Sequence, residues 1–275
     1  HTATWKVEIT LAKAILSCEK VDENVPGKFG INAVSVAGAS VAFCGTDKIA
    51  TINGEVYDFN ASKVGDLSME GVPEGAKILN MNNDVNGVVV ASFGFDKDGN
   101  PTTVNDDINY GYVYCWKDGY DKAPTLVYTN ANNEPANRGN SFGYMNCGGD
   151  VNGDFLLCAI FGGRNATQSH HVWEFHNGDF STSTWHHFAT DYVGDDGNWG
   201  ATISPASGNV NGTFFIGDSM GDNKGYHVYT RQGTENTGED VALTGTTMTT
   251  VPGVQANGIP EGNAQYGNFS CGNIK

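Results

Sequence analysis

A short β-strand pattern recurs four times along the chain at nearly constant spacing. Each copy has a valine followed by an aromatic residue, at Val56–Tyr57, Val113–Tyr114, Val172–Trp173 and Val228–Tyr229. The four valines lie 57, 59 and 56 residues apart. Fixed periods of this length are typical of repeat architectures, in which each unit buries its apolar surface against its neighbours.

A second motif precedes the last three copies of the first, and it ends each time in Asn-Gly. The three copies begin at Asp84, Asp150 and Asn209. Asn-Gly between two apolar runs is a strong signal for a tight β-hairpin. We therefore predict two-residue type I′ hairpins at the following sites: Asn86–Gly87, Asn152–Gly153 and Asn211–Gly212. Such a turn would place Cys147 directly opposite Cys158, which leaves a cross-strand disulfide open.

The repeat can be written as four strands, A to D. The predicted strands are 76–85, 88–93, 110–116 and 125–128 in the second unit, 142–151, 154–161, 170–175 and 184–190 in the third, and 201–210, 213–217, 226–230 and 240–243 in the fourth. Four strands in about 57 residues predict an all-β fold, a β-propeller of four-stranded blades. We expect about five blades or a truncated larger propeller, with residues 251–275 supplying strands A and B of a fifth unit and residues 21–275 forming the repeat domain.

Charge and hydropathy exclude several classes of function. The net charge is −16, with 15 Lys and Arg against 31 Asp and Glu, whereas nucleic-acid binding needs a basic surface. We therefore expect no nucleic acid as a partner. No apolar run reaches the 18 or more residues of a transmembrane helix, so we expect no transmembrane segment in this chain. Phosphate-loop and dinucleotide motifs are missing from the sequence, and we expect no cofactor.

Chain direction predicts where a ligand would bind. The A–B turns are minimal and share one end of the sheets, whereas the long B–C and D–A loops share the other end. Function is commonly carried by long loops on a rigid scaffold. Aromatic rings there could stack on a sugar or an apolar side chain, or they could simply fill gaps between blades. The candidate ligand-binding residues are Trp199, Tyr192, Arg138, Arg164, Asn140, Asp195, Asp196 and Tyr226.

Two clusters could bind a metal, but each has a simpler interpretation. Asp96, Asp98 and Asn100 alternate as calcium ligands do, yet Gly99 does not stand where an EF-hand needs its glycine, which favours a solvated acidic turn. Glu174 and its neighbouring histidines lack a zinc signature, and we expect them on a solvated outer strand. We therefore expect no bound metal.

The sequence favours a binding protein over an enzyme. The nucleophile motif G-x-S-x-G is missing. Asp195 or Asp196 could act with Asp222 as acid and base, so a propeller glycoside hydrolase or lyase remains the alternative.

Residues 149–157 resemble the FG-GAP repeat of integrin-type propellers, whose loops bind calcium. The motif reads Gly-Asp-Val-Asn-Gly-Asp-Phe-Leu-Leu. Val88 and Thr213 stand at the positions that match Asp154. The resemblance therefore implies a propeller shape and not a calcium site.

Residues 1–10, His-Thr-Ala-Thr-Trp-Lys-Val-Glu-Ile-Thr, are similar to the closing strand of an Ig-like domain in surface lipoproteins of gut Bacteroidetes. In those proteins the Ig-like domain precedes a propeller-like region with Gly- and Asn-rich blades. Segment 1–20 would then end such a domain, or else supply propeller-closing strands.

Those lipoproteins accompany Sus-type outer-membrane importers of glycans or peptides. The resemblance implies a non-catalytic accessory protein that captures a glycan or peptide nutrient and associates with importer subunits. It would lie on the extracellular face of the outer membrane, lipid-anchored through a missing N-terminal segment. A purely structural docking lipoprotein is a further alternative.

Overall fold

Among the described residues, four four-stranded antiparallel sheets follow one another along the chain. The computed structural model describes residues 9–10, 13–14, 41–103, 107–130, 140–161, 169–188, 202–218, 225–231 and 243–248. Two short strands, β1 (Ile9–Thr10) and β2 (Lys13–Ala14), pair with each other near the start.

Each of the four sheets is a meander whose strands pair in chain order. The first sheet has β3 (Val41–Cys44), β4 (Lys48–Thr51), β5 (Glu55–Asp58) and β6 (Lys63–Asp66). The second has β7 (Ile78–Asn83), β8 (Val89–Phe95), β9 (Tyr110–Cys115) and β10 (Thr125–Thr129). The third has β11 (Asn140–Gly149), β12 (Phe155–Phe161), β13 (Ser169–His176) and β14 (Asp179–Phe188). The fourth has β15 (Thr202–Pro205), β16 (Thr213–Asp218), β17 (Gly225–Arg231) and β18 (Leu243–Met248).

The prediction of an all-β chain built from four-stranded units is confirmed. The four repeated valines lie in β5, β9, β13 and β17, which are the third strands of the four sheets. The fourth strand of the last unit was predicted at 240–243, of which only Leu243 lies within the described residues. The structure places β18 at Leu243–Met248, where its threonines are β-branched and suit a pleated strand.

The Asn-Gly turn of the second sheet is tight, but it is not a two-residue type I′ hairpin. The Asp84 amide donates to the Val88 carbonyl at 3.0 Å, so residues 85–87 form the loop. Gly87 has a φ of 77°, whereas Asn86 is not a positive-φ residue, and type I′ needs positive φ at both central positions. The Asp84 carboxylate sets the longer loop, since its Oδ1 accepts the amides of Asn86 at 2.8 Å and Val88 at 2.7 Å.

In the third and fourth sheets, too, the residue two positions before the central asparagine bonds to the backbone of the turn. Asp150 Oδ1 accepts the Asn152 amide at 2.9 Å, and Asn209 Oδ1 accepts the Asn211 amide at 2.9 Å. Both central asparagines lack a positive φ. The type I′ prediction is therefore wrong at all three sites, although each turn lies where the sequence placed it.

The longer loop also moves the register of the third sheet by one residue. Cys147 pairs with Leu157, and Cys158 pairs with Asn146. A slip of one residue sends the two thiols to opposite faces of the sheet. Both cysteines are buried and free, so the proposed Cys147–Cys158 disulfide is not formed.

The first strands of the sheets lie side by side, in the order β3, β7, β11 and β15. Between the first two sheets, which we call the first seam, the inner faces meet in an apolar core. Ala42, Cys44 and Val56 of the first sheet are buried there with Met81 and Phe93 of the second. Burial of apolar area of this kind is the main force that holds neighbouring sheets together.

The interface between the second and third sheets, which we call the second seam, adds buried polar contacts to its apolar core. Asn80 Nδ2 donates to the Met145 carbonyl at 2.7 Å, and Asn82 Nδ2 donates to Asn146 Oδ1 at 3.1 Å. These side chains are at most 5% exposed. Buried polar groups of this kind are tolerated because they are hydrogen-bonded.

Asp84 joins the turn of the second sheet to the turn of the third. Its Oδ2 accepts the Val151 amide at 3.1 Å, and Asp84 is only 2% exposed. Burial raises the pKa of the Asp84 carboxyl, while the three backbone amides that it accepts act in the opposite direction.

Gly87 has a comparable role at the first seam. Its carbonyl accepts the Gly45 amide at 2.8 Å, and a Cβ at Gly87 would collide with the backbone of Gly45. The close approach of the two turns, as well as the positive φ, therefore requires glycine at this position.

Candidate functional site

The B–C and D–A connections share one end of the sheets, and most of the longest connections are among them. Because every sheet is an antiparallel meander, the A–B and C–D turns share one end and the B–C and D–A connections share the other. Asn140 begins β11 and pairs with Phe161, the last residue of β12. Tyr226 lies near the start of β17 and pairs with Gly217. The backbones of Asn140 and Tyr226 therefore lie at the end that carries the long connections, which we call the loop end.

The other candidate ligand-binding residues belong to the long connections themselves. They lie outside the described residues and are Arg138, Arg164, Tyr192, Asp195, Asp196 and Trp199. Tyr110 shows what an aromatic residue at this end can do instead. It pairs with Phe95 and packs, half-buried, against the apolar core of the first seam, as the gap-filling interpretation expects.

The Asp96 segment is an exposed hairpin turn held by its own side chains. Asp96 Oδ1 accepts the amides of Asp98 and Asn100 at 2.8 Å each, and Asn100 Nδ2 donates to Asp96 Oδ2 at 3.0 Å. The Asn100 side chain holds the pKa of Asp96 below its usual value, with help from the backbone amides. Asp98 forms an ion pair with Lys97 at 2.9 Å. Asp96 therefore stabilises the turn, and no metal-binding cluster of three or more side chains occurs among the described residues.

The histidine-rich hairpin of the third sheet is partly buried, which corrects the expectation of a solvated strand. His186 is fully buried, and its Nε2 lies 3.0 Å from Glu174 Oε2. His176 is exposed and lies 2.9 Å from Asp154 through Nδ1. His186 and Glu174 share a sheet face because His186 pairs with Val172, two residues from Glu174 on β13. The contact gives a buried imidazole nitrogen of β14 and a carboxylate oxygen of β13 a hydrogen-bond partner in each other.

The opposite face of the same hairpin carries four rings in contact. The ring centroids of Tyr128, from the second sheet, and Trp173 are 4.4 Å apart. The centroid of His171 lies 5.9 Å from that of Trp173 and 5.3 Å from that of Trp185. The Trp185 indole N–H donates to His171 Nδ1 at 2.8 Å. Because an indole can only donate, His171 must accept at Nδ1 and carry its proton at Nε2. Trp185 is 37% exposed. Sequence reasoning identified Trp173 from the repeat but did not single out Trp185.

Three of the four described thiols are unsuited to nucleophilic chemistry. Burial raises the pKa of Cys115 to about 12 and raises the pKa values of Cys147 and Cys158 well above the usual range. A thiol reacts as its thiolate, so these three groups are inert near neutral pH.

Comparison with known proteins leaves the chain without an assigned family. No family model and no curated protein matches it. Among solved structures, it is similar to the WD40 domain of SCAP from fission yeast, at 12% identity and a TM-score of 0.33. The match covers 74% of this chain and 39% of that one, so the chain spans well under half of the matched structure. No helix in the described ranges is long and apolar enough to cross a membrane.

Proposed function

We propose that this protein is a non-catalytic binding module that captures a polymeric nutrient, a glycan or a peptide, at the loop end of its sheets. The observation that supports the proposal is the asymmetry of the two ends. Most turns at one end are short, and two of them bond to each other between sheets, Gly45 to Gly87, whereas the other end carries most of the longest connections, such as those from β8 to β9 and from β14 to β15. A rigid scaffold with long loops at one end is a common arrangement for binding sites.

The sheets are successive blades of a β-propeller in this proposal. Two features support that architecture: each sheet is a four-stranded meander, and the first strands form a continuous row. The ring would have about five blades or belong to a larger propeller. Edge strands are then shielded by neighbouring blades.

The proposed setting is the extracellular face of an outer membrane, beside a Sus-type importer. It rests on the resemblance of residues 1–10 to the Ig-like domains of such lipoproteins. Importer subunits are the proposed protein partners. The net charge of −16 is unfavourable for binding nucleic acid.

The proposal is tested by screening glycans and peptides for binding and for product release. Trp199→Ala is expected to weaken binding by about 1–3 kcal/mol, the range for losing an aromatic anchor. A matched control is Leu126→Ala, because Leu126 is a 41%-exposed apolar residue near the start of β10, away from the loop end. Leu126→Ala is expected to leave affinity unchanged.

Two outcomes would contradict the proposal. Unchanged binding in a Trp199→Ala, Tyr192→Ala double variant would show that the ligand binds elsewhere. Release of reducing sugar or cleaved peptide that is abolished by Asp195→Asn or Asp196→Asn would show an enzyme instead.

A further inference from the structure

The first sheet has one covered face, whereas its other face leaves large apolar side chains of β3 exposed. Ala42 and Cys44 are buried in the first seam, whereas Val41 and Phe43, on the alternate positions of β3, are 43% and 50% exposed. Phe59 is 54% exposed and packs its ring edge-on against Phe43 at 6.5 Å between centroids. Ile49 pairs with Phe43 and so shares its face. We call this surface of Val41, Phe43, Ile49 and Phe59 the open face.

An exposed cluster of large apolar side chains marks a surface that another element covers. The row of first strands shows what kind of element suits it. At the first seam β7 of the next sheet lies beside β3, and the same neighbour relation joins β7 to β11 and β11 to β15. A further first strand beside β3 would continue the established row and would cover the open face.

We propose that residues 249–275 of this chain cover the open face, with a strand of that segment beside β3. The inference rests on the proposed propeller architecture and names the surface where the ring closes. The segment directly follows β18 and has 27 residues, whereas the first hairpin of the second sheet, Ile78 to Phe95, needs 18.

Charge favours this segment over a second copy of the protein. Residues 249–275 contain a single Glu and a single Lys, Glu261 and Lys275, so they can cover apolar surface without burying an unpaired charge. Two whole chains would each bring a net charge of −16 to a shared interface, and like charges of that size oppose self-association.

Photo-crosslinking in the full-length protein tests the proposal directly. p-Benzoylphenylalanine is placed at Phe43, where it preserves an aromatic ring, and in a second variant at Leu126. Leu126 is the matched control because it is 41% exposed but lies on β10 of the second sheet. After irradiation, crosslinked peptides are identified by mass spectrometry in a mixture of isotopically light and heavy protein.

The expected result is a crosslink from position 43 to a peptide within 249–275 of the same chain, and none to that segment from position 126. A crosslink between light and heavy chains would overturn the proposal in favour of a second copy. A crosslink to another segment of the same chain, or no crosslink at position 43, would also overturn it. Because glycan and peptide binding is measured separately, the failure of the binding proposal would leave this result unaffected.

A second measurement uses stability. Val41→Asp and Leu126→Asp change side chains of nearly equal exposure, 43% and 41%. If residues 249–275 cover the open face, Val41→Asp lowers the melting temperature well below that of Leu126→Asp and speeds amide hydrogen exchange in the segment. Equal melting temperatures with unchanged exchange would overturn the proposal.

Discussion

The two seams of the second sheet differ in kind, although the same strands form both. Strand β7 sends Met81 into the first seam and sends Asn80 and Asn82 toward the third sheet. The buried side chains of the first seam are apolar, and its hydrogen bonds include the backbone bond from Gly45 to Gly87 and an exposed bond from the Phe43 amide to Asn83 Oδ1. The second adds directional hydrogen bonds from buried amides and a carboxylate, which fix the register because an unpaired buried polar group is costly. The contrast indicates that the first seam supplies mainly cohesion and the second supplies alignment.

The largest expected effect is the loss of the Asp84 carboxylate. Asp84→Ala removes the acceptor for the amides of Asn86, Val88 and Val151. We expect the free energy of unfolding to fall by about 3 kcal/mol, since bonds to a charged group are worth roughly 1.5–3 kcal/mol each and water can replace only part of them. Urea denaturation measures the change.

Asp150→Ala is the matched control for that variant. Asp150 holds the equivalent position in the third sheet, and its carboxylate accepts the Asn152 amide within its own turn. Its loss is expected to cost about 1 kcal/mol or less. Equal losses in the two variants would show that the turn, and not the contact between sheets, makes Asp84 important.

The pH dependence of stability sharpens the same contrast. Because burial raises the pKa of Asp84 above its usual 3.8, the folded protein binds this proton more tightly than the unfolded chain does. The Asp84 contribution to the free energy of unfolding is therefore greatest below pH 3.8 and declines as pH rises through the folded-state pKa. The difference in stability between wild type and Asp84→Asn should thus be more favourable to wild type in acid than at neutral pH.

Carboxyl groups with a lowered pKa, such as Asp96, make the folded protein less stable as the pH falls. Because this trend is the same in wild type and in Asp84→Asn, it cancels in the difference between their free energies of unfolding. Denaturation curves for both proteins across the acid range provide the measurement. If the stability advantage of wild type over Asp84→Asn instead grows as the pH rises, the bonds from the backbone amides lower the pKa of Asp84 by more than its burial raises it.

The smallest expected effect is a difference in thiol reactivity between the seams. Burial raises the pKa of both Cys44 and Cys147, but at Cys44 the nearby Lys48 opposes the rise. We expect Cys44 to react with Ellman's reagent faster than Cys147, by about tenfold or more, because the thiolate is the reactive form. The rates are read in a background with Cys18 and Cys271 changed to serine, using Cys44→Ser and Cys147→Ser to assign them. Equal rates would remove this distinction between the seams.

The sequence predicted the repeat because its signals are local. A valine beside an aromatic residue marks a half-buried strand wherever it occurs, and Asn-Gly marks a turn. The type of turn was missed because it depends on the side chain of Asp84, two residues earlier, which captures backbone amides. Asp150 acts in the same way in the third sheet, where the one added loop residue reverses the facing of Cys147 relative to Cys158.

Contacts between sheets could be predicted much less well than the strands. Asn80 and Asn82 look like ordinary polar residues of an exposed strand, yet both are buried because amides on the neighbouring sheet meet them. Contacts of this kind depend on which sheets become neighbours, and no short motif encodes that. His186 was expected on a solvated strand, yet it is fully buried against Glu174 of the same sheet. The predicted ligand-binding residues of the long connections lie outside the described ranges, so their role stays a prediction.

The meander order of the sheets has a consequence for how the chain is made. Every sheet consists of strands that are consecutive in the sequence, so each one can form as soon as its own residues have left the ribosome. The second sheet then offers Asn80, Asn82 and Asp84 as a template before the third has been synthesised. We expect synthesis itself to order the assembly: each new sheet docks on a finished predecessor, and wrong pairings between distant units have little time to form.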